Sequence, residues 1–336
     1  MSQNKTITGT VVREYLERFK KIPSLTLAKK IYAENSTIFK DIEQARGLIR
    51  TYRGQRGKAL RASMANTKYF KEAGSLNPFE LPESDAPPWN PVHIPERYNN
   101  GLVFSDAHFP YHDMTAINSM LEYAVGHKKI NFIVINGDGL DCYQLSKFNK
   151  SLLNRSFSDE LWVWIEFLNI LQVTFPGAKI YWKLGNHEER WENYLRVKAP
   201  ELLDMEENKF ENIIKIRGVE GVEVIEKQIF YTGRLPWLHG HEMQGGATSP
   251  VNPARGLFLK TLSSAVVGHH HRSSAHSELD VNEKLMSWWS IGCLCALHPE
   301  YALINKWNHG FCFIQTEGKE FEMTNMKIYK GKIYHD

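Results

Sequence analysis

The feature that most constrains this chain is a set of five short clusters rich in Asp, His, Asn and Gly, nearly all directly after an apolar, strand-like run. Asp106, Ala107 and His108 follow GLVFS; Gly137, Asp138 and, three residues on, Asp141 follow NFIVIN; Gly185, Asn186, His187 and Glu188 follow KIYWKL. His239 and Gly240 follow PWL, and Gly268, His269, His270 and His271 follow AVV. Helix-like stretches over residues 115–127, 159–174 and 188–198 lie between them, so strands and helices alternate and an α/β domain is predicted. The runs SWWSIG, GFCFIQT and NMKIYKGKIYH read as further strands. Binding sites in such sheets form beyond the carboxyl ends of the strands. Five strand ends delivering these side chains predict one convergent polar pocket.

The chemistry of that pocket suits two divalent cations bridged by a carboxylate. Imidazole with carboxylate favours manganese, iron, zinc or nickel over the all-oxygen shells of calcium. Two such ions about 3.5–4 Å apart orient a phosphorus atom and stabilise the attacking and leaving oxygens together. Water bridging them would act as hydroxide near neutral pH. Glycines beside the ligands allow the tight turns such a site needs.

In order, the clusters D-x-H, G-D-x-x-D, G-N-H-E, H-G and G-H-x-H resemble the calcineurin-like metallophosphoesterases, over about two-thirds of the chain. The resemblance implies an α/β fold of two packed mixed β-sheets flanked by helices. It implies that Asp106, His108 and His271 hold one metal, that Asn186, His239 and His269 hold the other, and that Asp138 bridges them. The cofactor expected is a pair of divalent transition-metal ions, manganese first. His187 would not ligate metal but would serve the leaving oxygen as proton donor or charge stabiliser. Asp141 would orient the groups around the ligands. His241 competes with His239 for the fourth cluster; His239 is preferred because Gly240 follows it directly. The interval from Asp141 to Gly185 is long, and an inserted helix is expected around residues 152–161.

Other residues have weaker signals. Arg190, three residues after His187, could clamp a substrate phosphate or pair with Glu188 or Glu189. His112 and Tyr143 are further pocket candidates, with His112 taken as substrate-binding. Trp162 and Trp164 read as core. The four cysteines (Cys142, Cys293, Cys295, Cys312) make no disulfide scaffold. Cys293 and Cys295 could serve a metal, but a buried strand with both sulfurs on one face is the preferred reading.

Charge divides the chain. Residues 1–71 hold 16 Lys and Arg against 5 Asp and Glu, a net of +11, whereas the remainder carries −8. Residues 1–74 read as a basic helical module. TLAKKIYAENS and IEQARGLIRTYR each place apolar residues at helical spacing, with Asp41 as cap and a turn over residues 35–37, the outline of a helix-turn-helix. Arg46, Arg50 and Arg53 are spaced to share one face and Arg56 follows, together with Lys58 and Arg61, as a row that could neutralise phosphates. Residues 75–99, with six prolines, read as a linker. Residues 100–336 form the catalytic domain. No apolar run approaches the roughly 20 residues that span a bilayer, so no membrane partner is expected. The opening MSQNKTITGT lacks a secretory apolar core, so a cytoplasmic location is expected. The sequence carries no signal for oligomeric state.

The expected function is metal-dependent phosphodiester hydrolysis on nucleic acid, through a metal-bridging hydroxide, with the basic module as recruiter. A phosphomonoesterase acting on a nucleotide or phosphoprotein is the alternative, and a non-catalytic scaffold of the same fold a further one.

Overall fold

The computed structural model describes residues 6–64, 67–70, 84–86, 88–127, 129–147, 156–243 and 251–335, and structural statements here concern these. The chain divides into two units, Met1–Pro88 and Trp89–Asp336.

The first unit is helical. Helices α1 (Ile7–Arg18), α2 (Ser24–Glu34) and α3 (Ile42–Tyr52) are followed by the short α4 (Lys58–Ala62). Asp41 caps α3 by accepting from the Gln44 amide at 2.7 Å, satisfying a donor the helix end leaves open. Val12 and Leu16 of α1, Leu27, Ala28 and Ile31 of α2, and Ala45 and Ile49 of α3 pack with Phe39 into one core. Gly54 turns the chain out of α3 with φ +64°, a conformation that favours glycine.

The expected arginine row is corrected here. Arg53 is only 1% exposed. Its guanidinium donates to the carbonyls of Ile22 at 2.6 Å and Lys20 at 3.1 Å, and to Ser24 Oγ at 3.1 Å. It is a tie between helices, because residue 53, the C-cap of α3, stands four residues after buried Ile49 and so faces the α1–α2 connection. Arg46 is partly buried and pairs with Glu43 at 3.0 Å, while Arg50 and Arg56 are exposed.

The second unit opens with β1 (Val92–His93) and β2 (Asn100–Phe104), then α5 (Met114–His127) and β3 (Phe132–Asn136). Next come α6 (Phe157–Thr174), β4 (Lys179–Lys183), α7 (Glu189–Lys198), α8 (Phe210–Ile216) and β5 (Val222–Ile225). Two short strands, β6 (Phe230–Thr232) and β7 (Leu235–Leu238), lead to α9 (Pro253–Thr261) and β8 (Ala265–Val267). The chain ends with β9 (Ser274–Leu279), β10 (Leu285–Ser290), β11 (His309–Glu317), β12 (Glu320–Tyr329) and β13 (Lys332–His335). Two mixed sheets result: seven strands in the order β13-β12-β11-β2-β3-β4-β5, and six in the order β1-β6-β7-β8-β10-β9.

Period-two alternation sets the layers. Leu102 and Phe104 of β2, Ile133 and Ile135 of β3, and Ile180 and Trp182 of β4 face α5 and α6, where Met120, Trp164, Phe167 and Leu168 meet them. Val103, Val134 and Tyr181 face the other way, onto Phe230, Leu235, Trp237 and Val266 of the second sheet. Helix α9 covers that sheet's outer face through Ala254 and Leu257 against Val267 and Trp288. Strands buried on both faces read as unbroken apolar runs, which is why GLVFS and NFIVIN were legible.

Several boundaries differ from expectation. β1 pairs in parallel with β6, so the sheet begins at Val92, inside the stretch expected to be linker. It sits at a sheet edge, where neighbouring prolines are tolerated. Pro78, Pro82 and Pro87 fall outside the described residues, as does the start of the expected inserted helix; from Ser156 onward that stretch belongs to the capped start of α6. Trp164 is fully buried, but Trp162, on the opposite face of α6, is 56% exposed and is not core. No described helix is long and apolar enough to cross a membrane.

Candidate metal centre

Five strand ends meet at one place. The turns after β2 and β3 are tied to each other: the Asp106 amide donates to the Gly137 carbonyl, the His108 amide to that of Asp138, and the Asp141 amide to that of Phe109, each at 3.0 Å. These turns force unusual backbone. Asp106 (φ 55°), His108 (φ 48°), Asp138 (φ 51°), His269 (φ 64°) and His271 (φ 54°) are all left-handed, a conformation that costs a non-glycine residue free energy. Clustered at one pocket, the strain aims side chains inward. At Gly137 (φ 89°) a Cβ would collide with the His239 imidazole, and at Gly185 with the Asp138 carboxylate.

The predicted ligands converge in two halves. In the first, His271 Nε2 lies 3.1 Å from Asp106 Oδ1 and 3.2 Å from His108 Nε2. In the second, His239 Nε2 lies 3.1 Å from Asp138 Oδ2, and Asp138, His239 and His269 offer ligand atoms within metal-binding reach of one another. Asp138 Oδ2 is also 3.8 Å from His108 Nε2, so one carboxylate oxygen faces both halves. His241 instead points to Glu189 Oε1 at 3.1 Å, and His270 joins none of the candidate ligand groups.

Donor chemistry fits divalent cations. His108 Nδ1 is taken by Asp141 Oδ1 at 3.0 Å and His239 Nδ1 by the Asn136 carbonyl at 2.8 Å, which fixes both tautomers with Nε2 lone pairs turned inward. Asp106 Oδ1, Asp138 Oδ2, Asn186 Oδ1, His239 Nε2 and His269 Nδ1 are all buried with no hydrogen-bond partner among the described residues. Buried polar atoms are normally paired, and five orphans of metal-ligand type in one pocket are a cation site's signature. The carboxylates make the site strongly negative: against burial, Asp138 carries His239 up to about 10 and Asp106 carries His271 up to about 9, so each would ligate an incoming cation by giving up its Nε2 proton. Burial, then the charge of His239, takes His269 down to about 4, leaving it a neutral ligand.

Two residues not assigned to metal also come within reach of the ligands: His187 groups with His108 and Asp138, and Cys295 with His108 and His271. His187 donates its amide to Asp138 Oδ1 at 3.0 Å, and its Nδ1 lies 2.8 Å from the Asp141 carbonyl. Arg190 donates to that carbonyl at 2.8 Å and to His187 Nε2 at 2.9 Å, and pairs with neither Glu188 nor Glu189. Burial opposes a charge on His187, and Arg190 does too, but Asp138 and Asp141 outweigh them and lift its pKa. The His112 ring stacks on Phe109, centroids 4.0 Å apart.

Further buried residues hold the ligand loops in place. Buried Glu188 accepts from the amides of Leu140 and Gly185 at 2.8 Å and of Asp138 at 3.1 Å, holding the two loops together. Burial, then the charge of Asp138, raises its carboxyl to about 7. Glu242 accepts from the amides of His239 and Gly240 and pairs with fully buried Lys183 at 2.7 Å, which keeps it at about 2 despite burial. Trp307 packs on the His271 ring at 4.1 Å. Cys293 and Cys295 are buried, and Cys295 Sγ lies 3.7 Å from His271 Nδ1. Their backbone makes isolated bridges rather than the continuous strand expected. No local sequence pattern marks Glu242, Lys183 or Trp307.

A family model described as calcineurin-like phosphoesterase matches residues 102–297, the span that contains every predicted ligand. No curated protein gives a significant match. Among solved structures, vacuolar protein sorting 29 of Cryptosporidium parvum is 15% identical with a TM-score of 0.39, covering 71% of this chain and 95% of its own. Vps29 of Entamoeba histolytica, solved with zinc, is 12% identical with a TM-score of 0.37, covering 70% and 97%. Vps29 of Chaetomium thermophilum is 13% identical with a TM-score of 0.37, covering 71% and 93%.

Proposed function

Because this chain belongs to the calcineurin-like phosphoesterase family, we propose that it hydrolyses phosphate esters at a two-metal centre, and that its substrates are phosphodiesters of nucleic acid. The observation that carries the hydrolase reading is the set of five orphaned ligand atoms, on Asp106, Asp138, Asn186, His239 and His269, gathered between tautomer-fixed histidines. Asp106, His108 and His271 would hold one divalent ion, Asn186, His239 and His269 the other, with Asp138 shared. Such ions supply Lewis-acid activation of the phosphoryl group and of water at neutral pH. Asp141 keeps His108 in its ligating tautomer, and Glu188 holds the loops that carry Asp138 and Asn186. Arg190, hydrogen-bonded to His187 beside Asp138, supplies positive charge where the leaving oxygen departs, and His187 positions it.

The nucleic-acid reading rests on charge. Residues 1–71 carry +11, and Arg50, Arg56, Lys58 and Arg61 are exposed there. A basic helical surface binds phosphate backbones by counterion release. The test is the purified chain with manganese, assayed in parallel on p-nitrophenyl phosphate, its bis ester, and single- and double-stranded DNA and RNA. Cleavage of the bis ester and a polymer supports the proposal. Preference for the monoester moves the substrate to a nucleotide or phosphoprotein, and no hydrolysis by metal-loaded protein leaves a scaffold.

A further inference from the structure

The loop over residues 297–307 stands at the rim of the metal centre, because both its ends are pinned to turns that carry the predicted ligands. Just before it, the Leu294 amide donates to the Asp106 carbonyl at 3.0 Å and the Ala296 amide to the Tyr111 carbonyl at 2.9 Å. The Tyr111 amide in turn donates to the His108 carbonyl at 2.7 Å. Just after the loop, the Asn308 amide donates to the His271 carbonyl at 2.9 Å. The rings follow the same path. Half-buried Trp307 packs on the His271 imidazole, centroids 4.1 Å apart, and Tyr301 meets Trp307 edge-on at 6.3 Å. An aromatic row therefore runs from a metal ligand out to solvent.

Tyr301, at the outer end of that row, is 72% exposed, and Leu303 and Ile304 beside it are exposed as well. Burying such side chains would be favourable, yet the loop is braced in a form that holds them out. Asn305 is the brace: its Nδ2 donates to the carbonyls of Leu297 at 2.5 Å and Ala302 at 2.7 Å, and its Oδ1 accepts from the Trp307 amide at 2.9 Å. A ring fixed in place beforehand loses less entropy when a ligand settles on it. The tip from Tyr301 to Ile304 carries no charged side chain, so it suits a flat base rather than a phosphate. An unpaired base has a face to lay on such a ring, whereas a paired base is already stacked within its duplex.

We propose that Tyr301, backed by Trp307, is the platform on which an unpaired nucleobase stacks next to the scissile phosphodiester, which makes single-stranded nucleic acid the substrate of this centre. The inference rests on the nucleic-acid reading above and narrows it. Tyr301 touches the substrate and not the metals, so its ring serves binding rather than bond breaking.

The experiment is steady-state cleavage, with manganese, by the full chain, Tyr301→Ala and Tyr301→Phe. Three substrates are compared: a single-stranded oligonucleotide, the same strand made abasic, and the strand annealed to its complement. The parent is expected to lose about 5–150-fold in kcat/KM on the abasic strand, the scale of one stacked base. Tyr301→Ala should lose a similar factor on the intact strand, through KM with kcat hardly moved, and nothing further on the abasic one. Tyr301→Phe keeps the ring and should match the parent. A parent that cleaves the abasic strand as well as the intact one, or the duplex better than the single strand, overturns the platform. So does an equal loss by Tyr301→Ala on both strands, or a Tyr301→Phe as weak as Tyr301→Ala, since the face of the ring is then not what binds. A parent that hydrolyses the bis ester but no strand overturns the nucleic-acid reading itself, whereas strands cleaved without regard to their bases overturn the platform alone.

Discussion

Arg190 donates through one nitrogen to His187 Nε2 at 2.9 Å and through another to the Asp141 carbonyl at 2.8 Å, while His187 Nδ1 lies 2.8 Å from that same carbonyl. A guanidinium has no lone pair to offer, so Nε2 accepts and Nδ1 carries the proton. The pair therefore acts as one unit. His187→Ala should keep its metal and lose turnover by roughly 10²–10³, because Arg190 loses the partner that positions its charge. Arg190→Ala should lose about 10²–10³, the scale of one charge-stabilising donor. The double variant should be little worse than the worse single, because groups acting together are non-additive. Steady-state rates on the bis ester, with metal content measured alongside, check this; multiplicative losses would show that the residues act separately.

Glu160 predicts a pH dependence of stability. Its side chain is fully buried and accepts from the Tyr143 amide at 3.2 Å. Burial first, then the Asp141 carboxylate, raises its carboxyl to about 8 from an ordinary 4.5. Between those values the folded chain keeps a proton that the unfolded chain has released. Stability is therefore lost as pH rises from about 4.5 towards 8, by up to a few kcal/mol. Glu160→Gln removes this loss, so its Tm should gain on that of the parent across the same range. Parallel curves of Tm against pH would contradict it.

Arg53 and its neighbours should separate by experiment. Arg53→Ala strands four acceptors and removes an inter-helix tie, and is expected to destabilise the first unit by about 3 kcal/mol. Reversing Arg50 and Arg56 to Glu should leave thermal stability nearly unchanged and weaken nucleic-acid binding. The log–log salt slope should become shallower by roughly 0.9 for each duplex phosphate that is no longer neutralised. Binding by fluorescence anisotropy at several salt concentrations decides it. Unaltered affinity would remove these arginines from the interface.

What the sequence made legible was periodic or punctuated. GLVFS, NFIVIN and KIYWKL are buried on both faces, and the ligand clusters stand at their ends, where the α/β rule puts them. β5, β6 and β7 escaped because three or four residues hold no readable period, and β1 because its prolines spoke for a linker. Arg53 misled because helical spacing also sets it four residues after buried Ile49 and eight after buried Ala45, on the face of α3 that packs into the core. The Lys183–Glu242 pair joins segments far apart in the chain, and nothing local marks either residue.

Asp138 is placed to serve two metal ions at once, since its Oδ2 lies 3.1 Å from His239 Nε2 in one half and 3.8 Å from His108 Nε2 in the other. Elemental analysis of the purified chain beside Asp138→Asn tests this most directly. Close to two transition-metal ions per chain are expected in the parent, both lost from the variant, with hydrolysis that stops on chelation and returns with manganese. A parent chain that carries no metal and still hydrolyses the bis ester in excess chelator would contradict it.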